Sequence, residues 1–165
     1  MHCNTKPSGK EESVYASERI DNMSTVEIFL HQERPIDSQA VYSLYTCVGW
    51  WPERTEEQIA HVLRQDVAIG AWDADHLIGF ARIVSDHCLH AYVEDMMVHP
   101  SYQRRGIGRL LMTRLLDALS PIETITLFCT SDLVPFYEER GFRVFPSQRI
   151  LHRQRVIPSH SGTSP

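Results

Sequence analysis

The sequence predicts a single α/β domain built on a mixed central sheet. Three observations carry this. Short apolar runs rich in β-branched and aromatic residues recur along the chain, as strands do. Longer stretches between them place apolar residues at helical spacing. The two kinds alternate, roughly in the order βααβββαβαββ, which is how a sheet with helices on its faces is written. This gives six to seven strands and about four helices.

Taken in order, "VEIFLHQ" from Val26 is a short strand. "PIDSQAVYSLYTCV" sets Val41, Leu44, Tyr45 and Val48 on one helical face, with Asp37 as the N-cap. "GWWPE" breaks that helix. Thr55 followed three residues later by Gln58 reads as a capping box opening a second helix, "EEQIAHVL". "VAIGAW" and "LIGFARIV" flank "DADH" and form a hairpin. "HAYVEDMMV", His90 to Val98, is a further strand. "HPSYQR" turns the chain into a helix with Ile107, Leu110, Leu111, Leu115 and Leu119 to one side. "TITLFCT" is a strand, "LVPFYEER" a short helix, "GFRVF" a turn into a strand and "RILHRQRV" the last strand.

The totals narrow the function. A chain of 165 residues with 42% hydrophobic content can bury one domain core. Sixteen Lys and Arg against 21 Asp and Glu, a net charge of −5, argue against nucleic-acid or anionic-membrane binding. No apolar run is long enough to span a membrane, and the first residues have no secretory apolar core. Residues 1–24 and 158–165 read as polar tails around a domain at 25–157, with Met23 an alternative start. The scattered Cys3, Cys47, Cys88 and Cys129 read as free thiols in a reducing cytoplasm. Oligomeric state is not readable, and a homodimer is compatible with the sequence.

"SYQRRGIGRLLM", Ser101 to Met112, places two glycines and two arginines at the mouth of a helix. A helix N-terminus has unpaired N–H groups and partial positive charge, and glycine lets a ligand approach the backbone. Together they make an anion cradle, most naturally for phosphate. The plainer reading is a glycine turn that lets the helix pack on its sheet. A P-loop would need Gly-Lys-Ser/Thr, which is absent, and a dinucleotide fingerprint would need glycine where Leu111 stands.

"VHPSYQRRGIGRLLM" resembles the acetyl-CoA pyrophosphate loop of the GNAT acetyltransferases, Gln/Arg-x-x-Gly-x-Gly/Ala. "FYEERGF", Phe136 to Phe142, resembles the second signature of that family. "ITLFCTSDLVPFYEERGF" is similar to small bacterial and plastid members that acetylate arylalkylamines or protein lysines, and "YVEDMMV" to the matching strand of diamine acetyltransferases. The resemblance runs from about Val26 to Val156.

It implies a GNAT fold with two splayed strands at the acetyl-CoA site, and direct acetyl transfer to a primary amine. It implies cofactor contacts from Gln103, Arg104, Arg105, Gly106, Ile107, Gly108 and Arg109 at the pyrophosphate, and from Met96, Met97 and Val98 along the pantetheine arm. Tyr137 matches the family tyrosine that protonates the departing thiolate. Many members carry Asn where Thr130 stands, so a hydroxyl here replaces an amide beside the cofactor arm. The acceptor implied is a small amine such as an arylalkylamine or polyamine. A protein lysine or N-terminus as acceptor, and a non-catalytic acyl-CoA sensor on the same fold, are the alternatives. Tyr137 and Glu94 beside an intact cradle favour the enzyme.

An alkylamine with a pKa near ~10.4 costs roughly 4–5 kcal/mol to neutralise at pH 7, a burden that a base can share. Glu94 and Asp95 are adjacent on a strand and are expected on opposite faces. By the resemblance to diamine enzymes, Glu94 is the base, working through water, and Asp95 orients the ammonium. Trp50 and Trp51, in the loop between the first two helices, are expected to stack on the acceptor or hold a cation. His87, Cys88 and His90 lie close together but are too few for a metal site, and none is expected. Cys129 has no neighbouring histidine to activate it as a nucleophile.

Overall fold

The computed structural model describes residues 26–153. The expected tails, Met23 and Cys3 lie outside them. The chain divides into two compact units, the first ending at Phe128 and the second starting at Cys129.

The first unit holds five strands: β1 Glu27–Leu30, β2 Val67–Asp73, β3 His76–Ser85, β4 His90–Val98 and β5 Thr124–Leu127. They lie side by side in chain order. The first four are antiparallel neighbours, and β5 joins β4 in parallel. A parallel join needs a crossover, which helix α3, Ile107–Ala118, supplies. Helices α1, Ser38–Val48, and α2, Glu56–Gln65, connect β1 to β2.

Local chemistry sets the helix starts as the sequence predicts. The Asp37 side chain accepts from the Ala40 N–H at 3.2 Å. Thr55 and Gln58 close a reciprocal capping box: the Gln58 N–H donates to Thr55 Oγ1 at 3.2 Å, and the Thr55 N–H to Gln58 Oε1 at 2.9 Å. Gly49 ends α1 in the left-handed region, at φ +74°.

Strand alternation sends successive residues to opposite faces. Phe80 of β3 joins a core cluster with Ile36, Val41, Leu44 and Tyr45 near α1, and Ile59 and Leu63 of α2. Its neighbour Gly79 faces α3, which buries Ile107, Leu111, Met112 and Leu115. A Cβ on Gly79 would stand 3.0 Å from Leu111 Cδ1 and 3.2 Å from Ala71 Cβ. The missing side chain therefore lets α3 settle close on the sheet.

The second unit carries a 3₁₀ turn at Ser131–Leu133 and the short helix α4, Val134–Glu138. Pro135 sits in the first turn of α4, where its missing N–H costs nothing. Gly141 follows at φ +87°. The strands expected at "GFRVF" and within "RILHRQRV" are not formed among the described residues, so the sheet has five strands rather than six or seven. A strand exists through its ladder partner, and the described residues of this unit offer none. Val144, Phe145, Ile150 and Leu151 are exposed there, and Pro146 has no N–H to give a ladder.

The tight approach at Gly79 gives a stability test. Gly79→Ala is expected to cost roughly 1–2 kcal/mol by overpacking, seen as a lower urea midpoint with unchanged slope. An unchanged midpoint would mean that α3 moves away freely.

Candidate active site

The parallel ladder between β4 and β5 stops at Val93 and Leu127, while β4 runs on to Val98. β5 itself ends at Leu127, so Glu94–Val98 has an edge that the β5 ladder does not cover. On its other side β4 pairs with β3, but with a break in register. Phe80 lies opposite Met97 and Arg82 opposite Glu94, so two residues, Asp95 and Met96, face Ala81 alone. This is a β-bulge. Asp95 carries it at φ +56°, a conformation that costs a non-glycine residue about 1–3 kcal/mol and persists only where the surroundings impose it.

The bulge fixes which backbone groups are free. The His99 N–H bonds the Ile78 carbonyl at 2.8 Å. By the alternation of an antiparallel ladder, the N–H and C=O of Val98 face away from β3. The Val98 carbonyl accepts from Gln103 Nε2 at 3.0 Å. Met97 is buried, and Met96 and Val98 are half-buried along this edge.

The chain then turns through a 3₁₀ turn at Pro100–Tyr102 into the cradle. Arg104 and Gly106 are both left-handed, at φ +61° and +82°. Alternating handedness aims successive N–H groups into one concavity. No side chain caps α3, so its first amides keep their donors for a ligand. A Cβ at Gly106 would meet nothing within 4 Å. The glycine is demanded by its φ and leaves room above the backbone. Gln103, Arg104, Arg105 and Arg109 are exposed around this mouth, Gly108 is half-buried, and Ile107 is buried as the helix's first core residue. Tyr102 anchors the turn by donating its hydroxyl to Asp73 at 2.7 Å, and the Arg105 guanidinium lies 5.3 Å from its ring centre.

Glu94 and Asp95 do not part to opposite faces as a regular strand would require. The bulge lets both reach Arg82. Its Nε donates to Asp95 Oδ2 at 2.9 Å, its Nη2 to Glu94 Oε2, and its Nη1 to Asp66 Oδ2 at 2.5 Å. Burial alone would lower the Arg82 pKa, but the hydrogen bonds and charges of Asp66 and Asp95 carry it upward. A second guanidinium meets Asp95: Arg54 Nη1 lies 3.0 and 2.9 Å from its two oxygens, and also donates to the Tyr45 hydroxyl at 2.6 Å. Burial, and then Asp95, push the Tyr45 phenol well above its usual range. The Asp95 side chain is 1% exposed and that of Glu94 27%. The oxygens expected to orient a substrate ammonium are thus engaged by two arginines, and Glu94 is the open carboxylate.

Trp50 and Trp51 are both exposed, and Trp51 has φ +46°. The Arg54 guanidinium stands 4.7 Å from the Trp51 ring centre and 5.2 Å from that of Tyr45. The cation that Trp51 holds is therefore the chain's own. Arg54 and Arg82 were not among the sequence candidates. Arg82 had a signal: it is the lone charge within the apolar run "LIGFARIV", and buried arginines are rare unless paired.

Tyr92, two residues before Glu94 on β4, lines a cleft of about 440 Å³ with Val84, Thr126 and Phe128, and with Asp86 and His90 at its polar part; Glu94 is not among its walls. The Tyr92 and Phe128 rings are 4.9 Å apart. His87, Cys88 and His90 belong to an exposed turn organised by Asp86, whose Oδ1 accepts from the Cys88, Leu89 and His90 amides. Those bonds hold the Asp86 carboxyl down at about 2. Cys88 precedes β4 rather than lying in it. Among the described residues no group of three or more His, Cys, Asp or Glu is placed to hold a metal.

In the second unit, Tyr137 is buried on α4 between Phe136 and Phe142, with ring centres 4.9 and 5.9 Å away. Burial, followed by Cys129, pushes its phenol up to about 12. Burial, with Asp132, raises the Cys129 thiol. Thr130 is exposed at the start of the 3₁₀ turn, where its carbonyl accepts from the Leu133 N–H at 3.0 Å.

The raised phenol predicts an alkaline stability loss. Unfolded tyrosines ionise near ~10, so Tyr137 stabilises the fold fully below that pH. The contribution is lost as pH rises through about 12. Urea unfolding across this window should show a smaller loss for Tyr137→Phe than for the parent. Equal losses would mean that the phenol ionises normally.

Comparison with known proteins agrees with this geometry. The family model described as an acetyltransferase (GNAT) domain matches residues 39–157. The ycf52 N-acetyltransferase of Porphyra purpurea, itself uncharacterized, is 30% identical over 74% of this chain and 74% of its own length. A soybean (Glycine max) protein named histone acetyltransferase TAP1 is 30% identical over 85% of this chain and 70% of its own. A GNAT-family acetyltransferase of Streptococcus pneumoniae, 30% identical, superposes with a TM-score of 0.66 over 79% of this chain and 99% of that one. None of these three is named as an arylalkylamine or diamine enzyme, so the similarity reaches the GNAT family and not the finer resemblance expected from the sequence. The mixed sheet, the uncapped glycine mouth of α3 and these matches lead to one conclusion: the chain belongs to the GNAT family of acetyl-CoA-dependent N-acetyltransferases.

Proposed function

We propose that this N-acetyltransferase passes acetyl directly to the primary amine of a small molecule whose ammonium rides on an apolar or aromatic body. The observation that carries this is the setting of Glu94. Asp66, Glu94 and Asp95 face Arg54 and Arg82, three carboxylates against two guanidiniums. The surplus negative charge attracts an ammonium, and Glu94 is its most exposed member. The Tyr92 and Phe128 cleft, lined from two residues before it on β4, is suited to an arylalkyl group.

The remaining roles follow from chemistry. Amides 104–108 and their arginines bind the pyrophosphate, and the β4 edge at Met96 and Val98 pairs with the pantetheine arm as an added strand would. Glu94 takes the ammonium proton, through water, so the nitrogen lone pair can attack the thioester carbon. As the new C–N bond forms, the C–S bond breaks. Tyr137, still protonated at neutral pH, gives its proton to the thiolate by the role the family resemblance implies; the new amide nitrogen loses its second proton to solvent, and solvent reprotonates the tyrosine. A raised Cys129 thiol is a poor nucleophile, which favours direct transfer over an acyl-enzyme.

A protein lysine is the second reading. The name of the soybean relative supports it, as does the exposure of Val84 and Phe128 at the cleft. A thiol-release assay comparing arylalkylamines, polyamines and a lysine peptide separates the two. Turnover with the peptide alone would replace the small amine as acceptor.

Gly106→Ala should weaken acetyl-CoA binding while the fold survives, because the side chain is strained at positive φ and intrudes on the cradle. Isothermal titration with parental affinity would move the pyrophosphate elsewhere. Tyr137→Phe should cut turnover roughly ten- to a thousand-fold with acetyl-CoA binding kept. Glu94→Gln should lose activity near neutrality and recover part of it as pH rises and free amine accumulates. Full activity for Tyr137→Phe across pH would leave that tyrosine a packing role only.

A further inference from the structure

We infer that Arg54 and Arg82 are positioning residues for this reaction, because together they lock the Asp95 bulge that presents the free edge of β4. The inference rests on the reading that acetyl-CoA lies along that edge.

Asp95 occupies a left-handed conformation inside a strand and is buried, so its surroundings must hold it there. What holds it is charge. Arg82 reaches across from the adjacent strand and gives a different nitrogen to each of Asp66, Glu94 and Asp95. Arg54 arrives from the tryptophan loop and touches both oxygens of the Asp95 carboxylate. Its guanidinium lies near the faces of Trp51 and Tyr45, and it also donates to the Tyr45 hydroxyl. Tyr45 belongs to the α1 core cluster, so the clamp is anchored on a rigid element.

The bulge matters because it sets register. Without the extra residue, the alternation of β4 beyond Glu94 would shift by one. Val98 would then turn its N–H and C=O toward β3, and the edge offered to the cofactor would be lost. A residue in the loop after α1 thereby governs cofactor affinity from the far side of the strand. Because the loop also carries Trp50 and Trp51, the acceptor wall and the cofactor edge share one carboxylate as their joint.

The test is isothermal titration of the full chain with acetyl-CoA, alongside thermal melts. Arg54→Met should weaken binding at least tenfold in folded protein, whereas Arg54→Lys, which keeps a donor and the charge, should stay within about threefold of the parent. A purely structural arginine would lower Tm and leave the Kd of the folded protein unchanged. Arg54→Met removes one of the two cations that compensate a buried carboxylate, leaving Arg82 alone on it. The double variant Arg54→Met/Asp95→Asn removes that charge and keeps the test open if the single variant does not fold. It too should bind weakly, with a loss no greater than the worse single variant. Parental affinity in either, or losses that add in full, would overturn the lock. A parent that does not bind acetyl-CoA would instead overturn the cofactor reading beneath it.

Discussion

The Asp95 carboxylate, held by two guanidiniums in a conformation that its own backbone resists, is the constraint on which the site depends. A buried ion is costly unless its partners are well placed. Here the cost is met by Arg82 from β3 and Arg54 from the loop after α1. Their bonds do more than compensate for burial. They put one extra residue into β4, set the direction of its later backbone groups, and bring Glu94 to the same arginine as its neighbour. The unpaired edge of β4, the exposure of Glu94 and the anchoring of the tryptophan loop follow from one local distortion.

The cradle depends on packing more than on charge. Val98 ends β4, and only residues 99–105 separate it from the left-handed Gly106. The Tyr102 hydroxyl ties that turn to the end of β2, and the bare Gly79 lets Leu111 bring α3 down on β3. The first amides of α3 thus follow closely on the end of β4.

Much of this was legible in the residues. Asp37 and the Thr55/Gln58 pair announce two helices through side-chain chemistry that acts within one turn. The glycine turn into α3 is legible for the same reason, since its conformation resides in its own backbone. The bulge was not. "VEDMMV" contains no turn residue and reads as an unbroken strand, and nothing local tells that Asp95 faces Arg54, 41 residues away. The pairing of Glu94 with Arg82 is hidden in the same way, although an arginine amid "LIGFARIV" signals a buried partner. The two expected C-terminal strands fail for a related reason. Their apolar residues supply propensity, but a strand needs a partner that sequence periodicity does not supply.

A structure of the chain with acetyl-CoA bound tests the central claim most directly. The account requires the cofactor's pantetheine amides to pair with the β4 backbone at Met96 and Val98, its pyrophosphate to rest on the amides from Arg104 to Gly108, and Asp95 to keep its left-handed bulge with both arginines in place. A bound cofactor with Asp95 returned to regular extended backbone, or with Arg54 turned away from it, would contradict the account.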